Sequence, residues 1–393
     1  MVSFDTAIKK IGDAVFPFSI EEIPLSDANL RYLAEEIISP IDLPPFDQSA
    51  MDGYAIIQND MEELDLIQGE IKAGDSGNIS ISKGQAIRIF TGAPVPPNVD
   101  MVVPLEYTVV FSDKIAFESS KFRQGANIRK QGDQQRANEI AVRYGTRITA
   151  AVSGYIAALG IRKVKVRKQP KIGVITSGNE LKSTTGKLKE GEIFESNSFT
   201  IASFFNQLGV PIAFHLNLPD DASKTLSTLK AAIKKADVLI ITGGMSVGNF
   251  DFVYPSLLNC DVEEVFYKVD QKPGKPIFFG KKENHLIFGL PGNPAAVLTC
   301  LYQYVYPMFE GLMGSPIKGL PRLKFKLNQD LQKPESQTRF LKGLISNHKL
   351  EILGGQESHM LKSYIEANCL VLLPSGTERF YKGDEVEVQL LVI

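Results

Sequence analysis

Four loops and one lysine-rich segment carry residue types suited to phosphates, oxyanions and hard metal ions. Thr176-Ser177-Gly178-Asn179-Glu180 joins small residues, which allow close backbone approach, to the carboxylate of Glu180. Leu218-Pro219-Asp220-Asp221 brings two aspartates, one of which is expected to serve only as a helix N-cap. Thr242-Gly243-Gly244-Met245-Ser246-Val247-Gly248 lies shortly before Asp251, and its glycine N–H groups ahead of a helix suit a phosphate or oxyanion. Taken alone, that loop reads as a tight structural turn at least as well. Leu290-Pro291-Gly292-Asn293-Pro294 opens a helix with proline near its first turn, for which capping is a sufficient reason. Lys268, Lys272 and Lys275 flank Pro273-Gly274, a stiff backbone on which three ammonium groups can meet one anion at low entropic cost. A solvent-exposed turn is the plain alternative, and the glycine-rich loop nearby tips the reading toward an anion site.

The elements that must position these residues follow from hydrophobic pattern. From Lys171 to about Gly314 strands alternate with helices, as in a parallel sheet covered on both faces. Ile172 to Ile175, Pro211 to Leu216 and the apolar run Val238 to Ile241 read as strands, the last buried on both sides. Ile277 to Phe279 and Leu286 to Phe288 are further strand candidates. Helices are expected around Phe204, Phe205 and Leu208, over Ala222 to Ala236, and from Pro294 to about Phe309. In such sheets ligands collect at the carboxyl ends of the strands, where all four loops fall. Residues 1–40 read as helical, with Leu30, Leu33, Ala34, Ile37 and Ile38 at helical spacing until Pro40. A second helix, Ala150 to Leu159, is expected to pack on the first. Residues 41–135, with short β-branched runs at Ile79-Ser80-Ile81 and Val102-Val103, then form an inserted β domain. Lys163 to Arg167 alternates in period two, predicting a half-buried strand with solvated lysines instead of a phosphate site. Beyond residue 320 alternating runs predict a C-terminal β domain resembling a barrel. The fold class is therefore multidomain α/β plus β: a three-layer α/β domain with a mostly parallel sheet at 169–318, the insertion at 41–135, a helical or linker part at 1–40 with 136–168, and a β domain at 319–393.

Composition narrows the field. Lys plus Arg total 43 against 45 for Asp plus Glu, a net charge of −2, so nothing draws the whole surface to nucleic acid and any anion site is local. The first twenty residues lack a continuous apolar stretch, and no later run reaches the length of a membrane span. Cys260, Cys300 and Cys369 are widely separated and odd in number, against a disulfide framework or zinc site. A cytoplasmic protein is expected.

Five segments, in order, resemble the molybdopterin molybdenumtransferase family, to which the C-terminal domain of gephyrin belongs: Pro44 to Ala55, Thr91-Gly92-Ala93-Pro94, Gly243 to Gly248, Lys272 to Pro276 and Pro291 to Pro294. The resemblance spans nearly the whole chain. It implies a four-domain elongated homodimer whose central domain is shared with molybdopterin adenylyltransferases, and a reaction inserting molybdate into adenylylated molybdopterin with release of AMP. The residues it points to are Asp52, Thr91, Glu180 and Asp251 as catalytic, with Asp220 and Asp251 on Mg²⁺. Gly243, Gly244, Ser246, Gly248, Lys268, Lys272, Lys275, Pro291, Asn293, Pro294, Arg339 and Ser358 would bind substrate. Gly132-Asp133-Gln134 departs from the family's Gly-Glu-Asp, so the acid the resemblance implies there is either absent or shifted to Asp133. Molybdate and a pyrophosphate both need cationic and N–H donors, and Mg²⁺ prefers carboxylate and phosphate oxygens. Implied partners are a second copy of the chain completing a composite site, a molybdopterin adenylyltransferase and recipient molybdoenzymes, with no nucleic acid and no membrane. Two rival readings are an adenylyltransferase acting one step earlier, which residues 41–135 and 320–393 argue against, and a gephyrin-like scaffold, which the full set of acids and lysines argues against.

Overall fold

The computed structural model describes residues 1–57, 63–76, 79–245 and 252–392. The chain divides into two compact units: Met1–Glu35 with Tyr144–Ala150 and Lys163–Ile393, and Glu36–Arg143 with Ala151–Arg162.

The first unit is built on a six-stranded sheet. Its order is Ile212–Leu218, Ile172–Ser177, Val238–Thr242, His285–Leu290, Phe278–Lys282, Glu263–Tyr267. The first three pairings are parallel and the last two antiparallel. Strand periodicity sorts the apolar run to two faces: Val238 and Ile240 join Val174, Phe288 and the helix Asn197–Gln207 through Ile201, Phe204 and Phe205. Leu239 and Ile241 join Ile175, Ile287 and the helices Ala222–Ile233 and Val253–Leu258 on the other. Three layers result, and each fully buried Val, Ile or Leu contributes roughly 1.5–3 kcal/mol. The expected 294–309 helix forms as Pro294–Cys300 and Tyr306–Leu312 with a π-helical turn, Leu301–Val305, between them.

The N-terminal segment departs from the helical reading. Only Phe4–Ala14 is an α-helix, capped by the Ser3 hydroxyl accepting from Thr6 N–H at 3.2 Å and burying Phe4, Ala7 and Ile11. Ile20–Pro24 instead pairs antiparallel with Lys163–Arg167, whose lysines are exposed and valines buried as expected. Leu30 takes a positive φ of 63°, Tyr32 and Leu33 make bridges to Arg147 and Val166, and Ile37–Ile38 pairs with Ile140–Val142. Partner strands distant in sequence override the local helical spacing. The Phe4–Ala14 helix packs against Tyr306–Leu312 and the Glu263–Tyr267 strand, a different seat from the one expected beside residues 150–159.

Most C-terminal strands form one ladder, Gln271–Lys272, Thr338–Ser346, Cys369–Leu373, Glu385–Leu390, Arg322–Lys326, with Lys349–Ile352 on the second, and Leu331–Gln332 pairs separately with Arg379–Phe380. Arg322–Lys326 and Lys349–Ile352 lie in contact, but no ladder pairing among the described residues joins them. In the second unit a six-stranded sheet runs Met101–Pro104, Gly53–Ile56, Gln85–Ile89, Glu63–Ile71, Lys114–Phe117, Thr108–Phe111. Ile79-Ser80-Ile81 is not a strand; Ile81 is buried and Ile79 packs on the same cluster, so its apolar character serves packing without a ladder. The helix Ala150–Ala158 forms where expected. Among the described residues no helix is long and apolar enough to cross a membrane.

One carboxyl makes stability depend on pH. Glu310, 6% exposed, is pushed up to about 7, chiefly by burial, with the N–H groups of Gly319 (2.8 Å) and Lys318 (3.1 Å) opposing. Its folded pKa lies above the unfolded one, so its contribution is full below about pH 4.5 and is lost as pH rises through 7. Glu310→Gln is expected to gain roughly 2 kcal/mol over the parent at pH 8 and little at pH 4.5, read from urea unfolding at both. An equal difference at the two pH values would contradict this.

Candidate functional site

A cavity of about 480 Å³ opens at the carboxyl ends of the parallel strands of the first unit. Each strand delivers its wall through the loop that follows it. Ile172–Ser177 leads to Gly178 and Glu180, Ile212–Leu218 to Asp220, Val238–Thr242 to Gly243 and Gly244, and His285–Leu290 to Pro291, Gly292, Asn293 and Pro294.

The loops are interlocked. Asn179 N–H donates to the Asp220 carboxylate at 3.3 Å and Asp220 N–H donates to the Asn179 side chain at 3.2 Å, which holds Asp220 at the rim. Its neighbour Asp221 is the N-cap: it accepts from Lys224 N–H at 2.9 Å and from the Ser223 hydroxyl at 2.7 Å, and the Lys224 bond leads in holding its carboxyl below the usual range. Glu180 folds back over Gly178, where a β-carbon would lie 2.6 Å from both carboxylate oxygens. Gly243 has φ +86°, and a β-carbon there would meet the Ser177 carbonyl oxygen at 2.3 Å, so the turn requires glycine.

The C-terminal region also reaches the cavity, through the turn at Ser358 and His359. Asn293 Nδ2 donates to the Ser358 hydroxyl at 2.7 Å, Ala296 N–H to the Ser358 carbonyl at 3.1 Å, and His359 lines the wall. Lys272 stands on the same rung as Arg339 in the parallel pair Gln271–Lys272 and Thr338–Arg339. Gln271, fully buried, anchors this segment: its Nε2 donates to the Pro273 carbonyl at 3.0 Å, and its Oε1 accepts from the Tyr304 hydroxyl.

Of the residues singled out from sequence, the cavity wall gathers Glu180, Asp220, Gly243, Gly244, Pro291, Asn293 and Pro294, with Ser358 bonded to it. Lys268, Lys272, Lys275 and Arg339 do not line it. The Lys268 ammonium sits 4.7 Å from the centre of the Tyr267 ring, and Lys272 and Lys275 are exposed. Ser246, Gly248 and Asp251 lie outside the described residues. Asp52 and Thr91 are together in the second unit: the Asp52 carboxylate accepts from Thr91 N–H at 2.8 Å and its hydroxyl at 2.7 Å. Those bonds, the backbone one first, hold the Asp52 carboxyl below its usual range. Sequence reading passed over Glu195, Asn197 and His359. Glu195 stands just ahead of the helix, where its carboxylate accepts from Ser198 N–H at 2.9 Å and from the Ser198 hydroxyl. Among the described residues no three His, Cys, Asp or Glu side chains cluster as a closed metal cage.

A three-layer α/β unit with its cavity over the strand ends defines the ligand-binding class of such sheets. Family models match along the chain in order: the MoeA N-terminal region (domain I and II) at residues 2–160, the "probable molybdopterin binding domain" at 173–311, and the MoeA C-terminal region (domain IV) at 324–391. A molybdopterin molybdenumtransferase of Haemophilus influenzae is 32% identical over 398 residues, covering 99% of this chain and 98% of its own length. That of Bacillus subtilis is 30% identical over 404 residues, covering 99% and 94%. The crystal structure of a molybdopterin biosynthesis MoeA protein from Pyrococcus horikoshii matches with a TM-score of 0.84 at 29% identity, over 99% of this chain and 100% of that one. The chain belongs to the MoeA family.

Proposed function

We propose that this chain is a molybdenumtransferase that inserts molybdate into adenylylated molybdopterin, releasing AMP and completing the molybdenum cofactor. The observation that carries this reading is membership of the family over the full length, with Glu180, Asp220 and the Gly243-Gly244 turn gathered around one cavity. The glycine backbone at Gly243-Gly244 offers N–H groups to the anionic middle of the substrate. Asp220 presents the hard oxygen donor that Mg²⁺ favours when it shares its shell with a substrate phosphate and water, and Asp251 is the second donor we assign. Such an ion, when bound, neutralises charge as the bond to AMP breaks. Glu180 and Asp52 orient water or the pterin, with Thr91 holding the Asp52 carboxylate in place. Lys272, Lys275, Arg339 and Ser358 hold molybdate, Lys268 backs the segment, and the enzyme works as a cytoplasmic homodimer.

Purified chain, adenylylated molybdopterin, molybdate and Mg²⁺ should yield cofactor that activates a cofactor-free molybdoenzyme. No activation with intact protein would overturn the reading. Lys275→Ala and Arg339→Ala should each raise the molybdate concentration for half-maximal rate by about tenfold or more while changing that for the pterin substrate less, since a small dianion depends on few charge-assisted bonds. Molybdate dependence equal to the parent in both variants would remove these two residues from the anion site.

A further inference from the structure

We infer that Asn197 reads an N–H donor on the ring system of the bound substrate, an inference that rests on the cavity being the substrate site proposed above. Asn197 opens the helix Asn197–Gln207, lines the cavity and is 7% exposed. Its carboxamide orientation is fixed. Nδ2 donates to the Gly292 carbonyl at 2.8 Å and reaches the Thr242 hydroxyl at 3.4 Å, so a flipped amide would set two oxygens against each other. Oδ1 is left buried with no hydrogen-bond partner, the only carboxamide oxygen in that state among the described residues.

Buried acceptors in folded proteins are almost always paired, so one left unpaired on a residue that lines the cavity calls for a reason. Its buried polar neighbours are already engaged: Glu195 accepts from Ser198 N–H and the Ser198 hydroxyl, and the Thr242 hydroxyl faces Asn197 Nδ2. None of these groups donates to Asn197 Oδ1. A phosphate or molybdate oxygen would be repelled by the amide oxygen, whereas an amine or ring N–H would complete it. Asn197 therefore marks the ring-binding end of the cavity. Substrates carrying an oxygen where the amine belongs are penalised, because the buried acceptor then stays unpaired. Of the N–H donors in an adenylylated pterin, we take this one to be an exocyclic amine, which leaves the purine amine and the pterin 2-amine.

Titration calorimetry on the full-length protein separates them. AMP is compared with purine riboside 5′-monophosphate, and 6-hydroxymethylpterin with its 2-desamino analogue. The wild type should lose about tenfold or more in affinity within one pair when the amine is removed, and the pair affected names the source. In Asn197→Ala that pair should bind equally; Asn197→Ser takes its place should the alanine variant not fold. Equal affinities within both pairs in the wild type, binding of none of the four probes, or a difference that persists unchanged in the variant would each overturn the inference. Failure of cofactor synthesis with the amine discrimination intact would count against the proposed function alone.

Discussion

Mixing Asp52→Asn with Glu180→Gln protein, each at least a hundredfold below wild type by itself, is expected to restore activity to roughly a quarter of wild type. Glu180 lines the cavity of the first unit, while the Asp52 and Thr91 pair is held within the second, by bonds of 2.8 and 2.7 Å that fix the carboxylate independently of that cavity. In the reading proposed here, Asp52 of the partner subunit completes each site, and a closed twofold dimer makes two equivalent sites. One site of a mixed dimer then collects both lesions and the other collects none. Random exchange makes about half of the dimers mixed, each with one working site of two, hence the quarter. Subunit exchange is followed by native mass spectrometry. Verified mixed dimers with no recovered rate would assign Asp52 and Glu180 to the same protomer's site and end the composite model.

Gly243→Ala should lower turnover by more than a hundredfold and lower the thermal midpoint as well. Two costs add at this position. The left-handed φ of +86° strains any residue with a β-carbon by about 1–2 kcal/mol. The new carbon would also sit 2.3 Å from a backbone oxygen, that of Ser177, which has no rotamer to escape into. The loop after Val238–Thr242 must therefore shift away from the loop after Ile172–Ser177, and both are cavity wall. Gly292→Ala is the control: its β-carbon meets nothing nearer than Gly243 Cα at 3.8 Å and its φ is not positive, so its thermal midpoint should stay within about 2 °C of the parent. A Gly243→Ala protein as active and as stable as Gly292→Ala would show that the turn tolerates a side chain.

The parts of the fold legible in the sequence are those whose pattern reflects burial by near neighbours. Val238 to Ile241 is apolar throughout because both faces of a central strand are covered, and Lys163 to Arg167 alternates because one face is wet. Residues 30–38 were illegible for the opposite reason: their backbone partners stand at 140–142, 147 and 166, and no local spacing encodes them. The same division runs through the candidate site. Glycine turns and the aspartate pair announce themselves by residue type, down to which loops form the wall, although only the structure assigns the cap to Asp221 and the rim to Asp220. Asn197 and His359 carry no such mark, since what matters about them is the carbonyl, hydroxyl or wall they face across the fold. The lysines illustrate the limit from the other side. Their chemistry was plain, yet Lys272 and Lys275 are exposed and outside the cavity wall.

Gln271 and Lys272 belong by chain connectivity to the α/β layer but by hydrogen bonding to the C-terminal sheet, where they pair with Thr338 and Arg339. Those rungs are made by backbone atoms and are indifferent to side-chain identity. A replacement for residues 320–393 could re-form these rungs without a matching change at 271–272, but it would also have to keep the buried Gln303–Gln389 bond, the Phe4–Phe340 ring contact and the Asn293–Ser358 bond. The seam is therefore of two kinds, backbone pairing at 271–272 that any sequence can make and side-chain fit elsewhere that only matched residues can, so the chemistry beside Lys272 is free to vary only where that fit is kept.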